Sequence, residues 1–354
     1  MIPILYDKTA TDFNNNGTGR LIDCASCLVT EERNGRYELE IEYPLGGAYQ
    51  GEIELNSIIG AEANETDQTQ LFTVYSITRE LGNLTRIRAR HISYRLTGIP
   101  VKPFTATGAS AALAGLITNS VTAPGFTVST DITSSAEYAQ TLPRSFRSCL
   151  AGSEDSILDI FGGEYHFDNF RIQLLESRGK DSGVSIRYGK NLTDIKREDD
   201  TEGLYNGVYP FWYKEDEGIV YPSAASVGMD YPFANYEVVD MTDLFETRPT
   251  AAQLTTEANA QAALLMMPES GIEVSFAALW ELREFDLISA LEKVALCDTV
   301  NVVYDAFGVN LKSKAVKTVY NTLRNRFESV TIGTIKADLP SVLATMAGDI
   351  RRIQ

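Results

Sequence analysis

The fold class is decided by residues 33–45, which read Arg-Asn-Gly-Arg-Tyr-Glu-Leu-Glu-Ile-Glu-Tyr-Pro-Leu. Between Tyr37 and Tyr43, four apolar residues alternate with three glutamates. Because successive side chains of a β-strand point to opposite faces, this alternation predicts a strand with one apolar and one acidic face. The Asn34-Gly35 pair before the strand predicts a tight turn. The stretch therefore indicates a sheet that buries one of its faces.

Similar strand patterns, broken by turn residues, recur along the 354-residue chain, and a few helical segments lie between them. With 44% apolar residues the chain is long enough for two or more cores. We therefore expect an α+β, β-rich fold with two β-barrel domains and interposed small α+β modules. The predicted domains are a first barrel at 1–98, a small α+β domain at 99–192, a second barrel at 193–240 and 295–335, a helix-containing insert at 241–294 and a C-terminal helix at 336–354.

The net charge of −17 is unevenly distributed along the chain. Residues 191–270 carry 4 basic and 15 acidic residues, a net charge of −11, whereas residues 310–354 carry 8 basic and 3 acidic residues, a net charge of +5. Adhesion to DNA or to an anionic membrane requires clustered Lys and Arg, so neither is expected for the chain as a whole. Charges of opposite sign fit either stacking between different partners or unevenly charged solvated faces.

The N-terminal residues MIPILYDK lack the basic region and long apolar core of a signal peptide. No apolar stretch approaches the roughly 20 residues of a membrane span. We therefore expect a protein that is made and assembled in a cytoplasm and does not insert into a membrane.

Three arginines, Arg86, Arg88 and Arg90, share one face of a predicted strand at Leu84–Leu96. This stripe fits either an acidic or nucleic-acid partner, or pairing with glutamates of the same barrel. The second interpretation, in which the arginines face nearby glutamates within the same barrel, is the simpler one.

The four cysteines are Cys24, Cys27, Cys149 and Cys297. The Cys24-x-x-Cys27 pair resembles half a zinc site or a redox pair, but no second pair of ligands at metal-binding spacing follows. Buried, reduced thiols are expected.

One constellation of metal-ligating residue types is Glu164-Tyr-His166-Phe-Asp168. On a strand, the carboxylates of Glu164 and Asp168 and the imidazole of His166 share one face at intervals of about 7 Å. Such a set could bind a divalent metal. The alternative is the polar face of a hairpin whose Tyr165 and Phe167 fill the core, because metal sites usually draw ligands from more than one element. No cofactor is expected.

An apolar stripe ends the chain, with spacings of 4, 3, 4 and 3 residues. This spacing is that of a coiled-coil seam over about two heptads. It predicts either an oligomerisation helix that leads into a downstream region or one amphipathic helix folded on its own domain. The seam consists of Leu339, Leu343, Met346, Ile350 and Ile353.

Catalytic motifs are absent from the sequence, which contains two histidines, His91 and His166, and no HExxH, GxSxG, P-loop or dinucleotide-binding glycine pattern. His91 lies in a predicted strand and is expected to have a structural role. The tyrosine-rich stretches Tyr205–Tyr213 and Tyr221–Tyr236 fit either stacking on sugars or burial in a core or subunit interface.

Several segments, in order along the chain, resemble the prophage endopeptidase tail family of phage minor structural proteins. The opening stretch, residues 33–45, is similar to the N-terminal signature of that family. The Cys297-Asp-Thr-Val300 segment is similar to a late Gly-Asp-Thr-Val pattern in which Cys297 replaces the glycine. The other resembling segments are 70–75, 89–96, 156–170, 177–179 and 186–192.

The resemblance implies a baseplate hub at the virion tail tip, in which two barrels per chain and three chains form a pseudo-sixfold ring. The implied partners are two other copies of the chain, the distal tail protein, the tape measure protein and a downstream fibre, with DNA only passing through an acidic lumen. The family name implies an endopeptidase, yet this chain shows no catalytic constellation. A peptidoglycan endopeptidase and a cell-wall glycan-binding module are therefore the alternatives.

Overall fold

The computed structural model describes residues 1–79, 82–153, 155–187, 192–200, 205–227, 233–245, 247–265, 269–276, 294–304 and 309–333. The chain divides into two compact units. We call Met1–Lys196 with Ile272–Gln354 the main unit, and Arg197–Gly271 the inserted unit. The C-terminal helix predicted on Leu339, Leu343, Met346, Ile350 and Ile353 lies outside the described residues.

The secondary structure is dominated by strands. In chain order the strands are β1 Ile4–Tyr6, β2 Gly19–Arg20, β3 Ser26–Glu32, β4 Tyr37–Pro44, β5 Ile58–Ala61, β6 Gln70–Arg79, β7 Leu84–His91, β8 Pro100–Val101, β9 Phe104–Thr107, β10 Thr127–Thr130, β11 Glu137–Gln140, β12 Arg144–Ser145, β13 Glu164–Asp168, β14 Arg171–Leu175, β15 Asp181–Arg187, β16 Leu192–Asp200, β17 Gly207–Lys214, β18 Gly218–Val220, β19 Ser226–Val227, β20 Tyr236–Asp240, β21 Glu269–Phe276, β22 Thr299–Tyr304, β23 Val309–Asn321 and β24 Arg326–Ile332. The helices are α1 Ala109–Asn119, α2 Phe146–Leu150, α3 Ile157–Phe161 and α4 Ala251–Leu265, with 3₁₀ turns at Ile92–Gly98 and Thr242–Leu244.

The main unit is built on an eleven-stranded sheet that curls into a half-barrel. Its order is β15-β22-β23-β3-β4-β7-β6-β5-β1-β2, and β24 pairs with β23. Strand β4 alternates between buried apolar and half-buried polar residues, as the opening stretch predicts. Tyr37, Leu39, Ile41 and Tyr43 lie in the core. The α+β, β-rich class predicted from the sequence is therefore confirmed.

Strand β23 joins residues that the sequence assigns to two separate barrels. Its 13 residues are long enough to pair with β22 at one end and with β3 further along. The strands within 295–335 therefore extend the sheet of residues 1–98, while residues 205–240 contribute to the inserted unit. This strand pairing differs from the predicted grouping of 193–240 with 295–335. Two barrels per chain remain a prediction.

A small helical module packs on the half-barrel and shares its core. The chain leaves β7 in a 3₁₀ turn instead of the predicted continuation of the strand to Leu96, because the His91 side chain accepts a hydrogen bond from the Ser93 amide and turns the backbone. Helix α3 begins after Ser156, because Ser156 and Asp159 form a capping box.

The inserted unit consists of one central strand, flanking strands and a helix. Strand β17 pairs antiparallel with β18 and β19 and parallel with β20. Helix α4 packs against β17 and β19. Its N-terminus has a capping box: the Gln253 backbone amide donates to the Thr250 hydroxyl, and the Thr250 backbone amide donates to the side-chain oxygen Oε1 of Gln253. No helix in the described part of the chain is long and apolar enough to cross a membrane.

Candidate functional site

The predicted metal-binding face of β13 does not gather its three side chains around one point. Glu164 Oε1 lies 2.9 Å from Arg33 Nε and 2.5 Å from Lys314 Nζ. His166 Nε2 lies 3.1 Å from Asp67 Oδ2. Each side chain of the face is therefore held by a different partner on the half-barrel.

The third member of that face, Asp168, accepts a hydrogen bond of 2.9 Å from Gln70 Nε2. Among the residues that the structure describes, no group of three or more His, Cys, Asp or Glu side chains is placed to hold a metal ion. Tyr165, on the same strand, is buried in the core, as the alternative interpretation of the sequence expects. The arrangement is that of a polar seam, which we define as the contacts of β13 and its flanking residues with the half-barrel.

The centre of the polar seam is the guanidinium of Arg178. Its Nη1 lies 2.5 Å from Glu31 Oε1, and its Nη2 lies 4.0 Å from Asp67 Oδ2. The Glu31 and Arg178 side chains are both almost completely buried. Although burial opposes the charged form of Asp67, hydrogen bonds from His166 and Asn64 and the charge of Arg178 lower the pKa of Asp67 to about 2. Burial likewise opposes ionisation of Glu164, but hydrogen bonds from Lys314 and the Arg178 amide lower its pKa.

Two asparagines in the left-handed conformation hold the β13–β14 hairpin to the half-barrel. Asn34, in the turn before β4, accepts from the Tyr165 amide at 2.8 Å and donates to the Gly163 carbonyl at 3.0 Å. Asn169, in the turn between β13 and β14, accepts from the Leu71 amide at 2.8 Å and donates to the Thr69 carbonyl at 2.9 Å. The side chain in the half-barrel turn therefore pairs with the backbone of the hairpin, and the side chain in the hairpin turn pairs with the backbone of the half-barrel. The sequence predicts both turns but contains no signal for this reciprocal pairing.

His91 is completely buried and stacks on Tyr37 with ring centroids 4.4 Å apart. Its Nε2 donates to Gln70 Oε1 at 3.1 Å, and its Nδ1 accepts from the Ser93 hydroxyl at 3.0 Å. Gln70 Oε1 also accepts a hydrogen bond from the Asn169 backbone amide, which fixes the orientation of the Gln70 side-chain amide. Burial, followed by the charge of Arg147, lowers the pKa of His91 well below its ordinary value. His91 therefore acts as a neutral connector, which agrees with the structural role expected from the sequence.

Three of the four cysteine thiols are held in the protonated form by burial. All four are free; Cys27, Cys149 and Cys297 are buried, and Cys24 is half-buried. Burial raises the pKa of the Cys27 and Cys149 thiols, and it raises that of Cys297 to about 12. Because the thiolate is the nucleophile, protonated thiols of this kind do not support covalent catalysis at neutral pH.

The arginine stripe pairs with glutamates of the same sheet. Strands β4 and β7 are neighbours, and Glu38 and Glu40 lie opposite Arg90 and Arg88. Arg88 Nε is 3.1 Å from Glu40 Oε2, and Arg90 Nε is 3.1 Å from Glu38 Oε1. Arg86 lies between Glu40 and Glu42 at 3.6 and 3.7 Å. The geometry of the stripe therefore agrees with the simpler interpretation, in which the arginines pair with glutamates of the same domain.

The described residues of the tyrosine-rich stretches lie in the inserted unit. Because side chains alternate along β17, Val208 and Trp212 face α4, whereas Tyr209 and Tyr213 face the opposite side. Trp212 is fully buried and its Nε1 donates to the Phe245 carbonyl. Tyr213 is half exposed. These aromatic side chains therefore divide between a core and a surface.

Comparison with solved structures finds a similar fold in several tail proteins, two of them from prophages. A prophage tail protein from Listeria monocytogenes EGD-e shares 16% identity and a TM-score of 0.58, covering 99% of this chain and 100% of its own. The 43 kDa tail protein of prophage MuSo2 from Shewanella oneidensis shares 10% identity and a TM-score of 0.61, covering 94% and 98%. A tail protein from Neisseria meningitidis MC58 shares 9% identity and a TM-score of 0.58, covering 96% and 98%.

A comparison of the sequence with family profiles finds a match in the second half of the chain. None of the curated proteins compared with the chain matches it. Residues 180–343 match the profile of the family described as prophage endopeptidase tail. That match includes β22, β23, β24 and the whole inserted unit. The chain is thus similar to the prophage endopeptidase tail family over residues 180–343, and it is similar in fold to phage tail proteins over nearly its whole length.

Proposed function

We propose that the chain is the baseplate hub of a phage or prophage tail tip, a structural protein that forms a homotrimeric, pseudo-sixfold ring. The ring joins the tail tube and the distal tail protein to a downstream fibre or lytic domain. The observation that carries the proposal is the fold, which is similar over at least 94% of the chain to two prophage tail proteins and one further tail protein, whose own chains are covered almost completely.

The chemistry of the described residues supports a structural role over an enzymatic one. The polar seam contains Glu164, His166 and Asp168, and each of these side chains is paired with another residue of the same chain. His91 is buried and neutral, and three of the four thiols are buried with raised pKa values. A catalytic group must reach its substrate, so none of these groups suits peptide hydrolysis.

The charge supports a ring through which DNA passes. With a net charge of −17, the chain repels a polyanion, so DNA would slide through a lumen lined by this protein without adhering. In the proposal the tape measure protein occupies that lumen before DNA does. Assembly takes place in the bacterial cytoplasm, without insertion into a membrane.

The test is to isolate the chain from tail particles, or to co-express it with a distal tail protein. Native mass spectrometry and negative-stain electron microscopy should then find three copies in a ring against one end of the tail tube. A different copy number, or a position away from the tail tip, would refute the hub.

A second assay separates the alternatives. Zymography on purified peptidoglycan should leave the substrate intact, whereas a cleared band would favour an endopeptidase. Binding of the isolated chain to cell-wall glycan, measured on an array, would favour the receptor-binding module, for which the exposed tyrosines of the inserted unit are the supporting observation.

A further inference from the structure

The Cys24-x-x-Cys27 pair is a sequence motif that the proposed function leaves without a role. The structure places Cys24 in the turn that leads into β3, and Cys27 on β3 itself. The chain bends at Ala25, between the two cysteines. Cys24 Sγ lies 3.0 Å from the Ser26 carbonyl oxygen, which belongs to the peptide bond that joins Ser26 to Cys27. The fold therefore brings the sulfur of Cys24 back against the residue that carries the second thiol.

The environments of the two thiols differ. Cys24 is half-buried, whereas Cys27 is completely buried. The carbonyl oxygen of Cys27 accepts a hydrogen bond of 3.0 Å from the Thr322 amide, in the turn after β23. Burial, followed by the neighbouring Cys24 thiol, raises the pKa of Cys27. A dissolved reagent therefore reaches Cys24 directly, and it reaches Cys27 only by way of Cys24.

The other two cysteines are far from any second cysteine in the sequence. Cys149 lies in α2, and its thiol donates to Gln140 Oε1 at 2.8 Å. Cys297 precedes β22, and burial raises its pKa to about 12. All four thiols are free. Cys149 and Cys297 therefore provide internal controls, because they are buried thiols without a neighbouring cysteine in the chain.

We propose that Cys24 and Cys27 are a redox-responsive dithiol, in which Cys24 exchanges with a small external disulfide and Cys27 resolves the product into a bond between the two cysteines. The assignment follows from their positions. Cys24 is the thiol that solvent reaches, and Cys27 is the buried thiol beside it. Two cysteines with these unequal exposures suit an attacking and a resolving role.

The exchange takes two steps, with oxidised glutathione as the oxidant. In the first step the deprotonated sulfur of Cys24 attacks one sulfur of the glutathione disulfide, and the other glutathione leaves and takes up a proton. In the second step the sulfur of Cys27 gives up its proton and attacks the sulfur of Cys24, which expels the second glutathione, and that glutathione takes up the proton. The chain thereby loses two hydrogen atoms, and one glutathione disulfide is reduced to two thiols.

The redox state of such a pair follows its surroundings. Glutathione keeps thiols reduced in a cytoplasm, whereas disulfides form and persist in oxidising surroundings. The inference goes beyond the proposed hub function, and only its timing rests on that function: a chain assembled in a cytoplasm and carried out in a tail would oxidise after release. The disulfide would tie the turn before β3 to β3 itself, next to the contact of Cys27 with Thr322.

Mass spectrometry tests the site directly. The folded full chain is incubated with oxidised glutathione, denatured, alkylated and digested with trypsin, which cleaves after Arg20 and Arg33 and leaves both cysteines in the peptide 21–33. That peptide should lose two hydrogen atoms and carry neither an alkyl group nor glutathione, while Cys149 and Cys297 stay alkylated. A 21–33 peptide that remains fully alkylated, or one that keeps a stable glutathione, would overturn the proposal.

Single variants separate the two roles. Cys27→Ser removes the resolving thiol, so its peptide should keep one glutathione on Cys24; Cys27→Ala, which adds no polar group to the core, repeats this test if the serine variant does not fold. In Cys24→Ser the buried Cys27 should react at least about tenfold more slowly than Cys24 does in Cys27→Ser. Cys149→Ser, the matched control, should oxidise within about twofold of the wild-type rate. Equal reaction rates in Cys24→Ser and Cys27→Ser would show that the assigned roles are wrong.

Hydrogen exchange measures the consequence of oxidation in the folded chain. The amides of residues 22–28 should exchange at least about twofold more slowly in the oxidised chain than in the reduced chain, because the new bond restricts the turn. The difference should disappear in Cys24→Ser, and equal exchange in the oxidised and reduced wild-type chains would contradict the proposed tie. Since these measurements use the isolated chain, a tail without a three-copy ring would refute the hub and leave the dithiol standing, whereas a 21–33 peptide that does not oxidise would refute the dithiol alone.

Discussion

At the scale of single residues, the left-handed backbone positions explain one departure from the family pattern. Six described residues other than glycine have a positive φ, and five of them are Asn or Asp, which tolerate this conformation. The sixth is Cys297, with a φ of 71°, at the position where the resembling pattern has glycine. An ideal Cβ added to Gly179 would lie 2.0 Å from the Cys297 carbonyl oxygen, so the backbones meet closely here. The positive φ and the close approach of the backbones therefore explain why the resembling pattern has glycine at this position.

We predict that Cys297→Gly is more stable than Cys297→Ala by about 1 kcal/mol, because only glycine adopts a positive φ without strain. Both substitutions remove the same buried thiol, so the difference isolates the backbone conformation. Urea denaturation of the two variants measures it. Equal midpoints, or a more stable alanine variant, would show that the left-handed conformation carries no cost at this position.

A second residue-scale prediction concerns acid stability and His91. Its folded pKa lies below the unfolded value of 6.5, so the unfolded state binds more protons below that pH. The contribution of His91 is fully present above pH 6.5 and is lost as pH falls, by about 1.4 kcal/mol for each pH unit below 6.5 until the folded pKa is reached. His91→Gln should be less stable at pH 8 yet lose less stability between pH 6.5 and 5.

Urea midpoints at several pH values check this slope. Asp67 and Glu164, whose pKa values are lowered, add a further loss only at more acidic pH, because their stabilisation is present above the unfolded pKa and disappears as pH falls through the folded one. A His91→Gln variant with the wild-type slope between pH 6.5 and 5 would contradict the assignment to His91.

At the scale of elements, the structure separates two kinds of ion pair. The ladder between β4 and β7 lies on an exposed face, where Arg88 and Glu40 are both about half exposed. Exposed pairs contribute about 0–1 kcal/mol each, because water screens the charges. Arg178 and Glu31 are buried between β3 and the β13–β14 hairpin, so each depends on the other for compensation of its charge.

We predict that Arg178→Met lowers the free energy of unfolding by about 3–5 kcal/mol, because it leaves the buried Glu31 carboxylate unpaired. Arg88→Met, the matched control on the exposed ladder, should cost less than about 1 kcal/mol. Chemical denaturation measures both. The double variant Arg178→Met with Glu31→Gln should recover part of the loss, and no recovery would assign the effect to packing instead of charge.

Sequence patterns predict the elements better than their ends. The alternation of residues 37–43 predicts β4, and the Thr250 cap predicts α4, because local periodicity and capping are properties of neighbouring residues. The predicted strand to Leu96 ends instead at His91, where a side chain buried by tertiary packing caps a 3₁₀ turn. Helix α2 was not predicted at all, since five residues are too few to show a period.

At the scale of the whole molecule, each unit has its own buried cluster. In the inserted unit the described cluster is small, and Trp212 is its largest member. In the main unit the described cluster extends through the half-barrel and the helical module. Local stability can therefore differ between the two units.

We predict that Trp212→Ala destabilises the inserted unit by about 3–5 kcal/mol, because it removes the largest side chain of a small core. Hydrogen exchange measured by mass spectrometry should speed up in β17 and β20. Exchange in β3 and β4 of the main unit should stay within error. Acceleration in both units to the same extent would show that they unfold as one.

The sequence by itself determined the strand-rich class, the apolar face of β4, the turns at Asn34 and Asn169 and the family resemblance, because each depends on neighbouring residues or on an ordered set of short motifs. Only the tertiary structure decided that β23 joins β22 to β3, and that Glu164, His166 and Asp168 serve separate partners. These features depend on which distant segments meet, and strand register across such separations is set by packing, not by local periodicity.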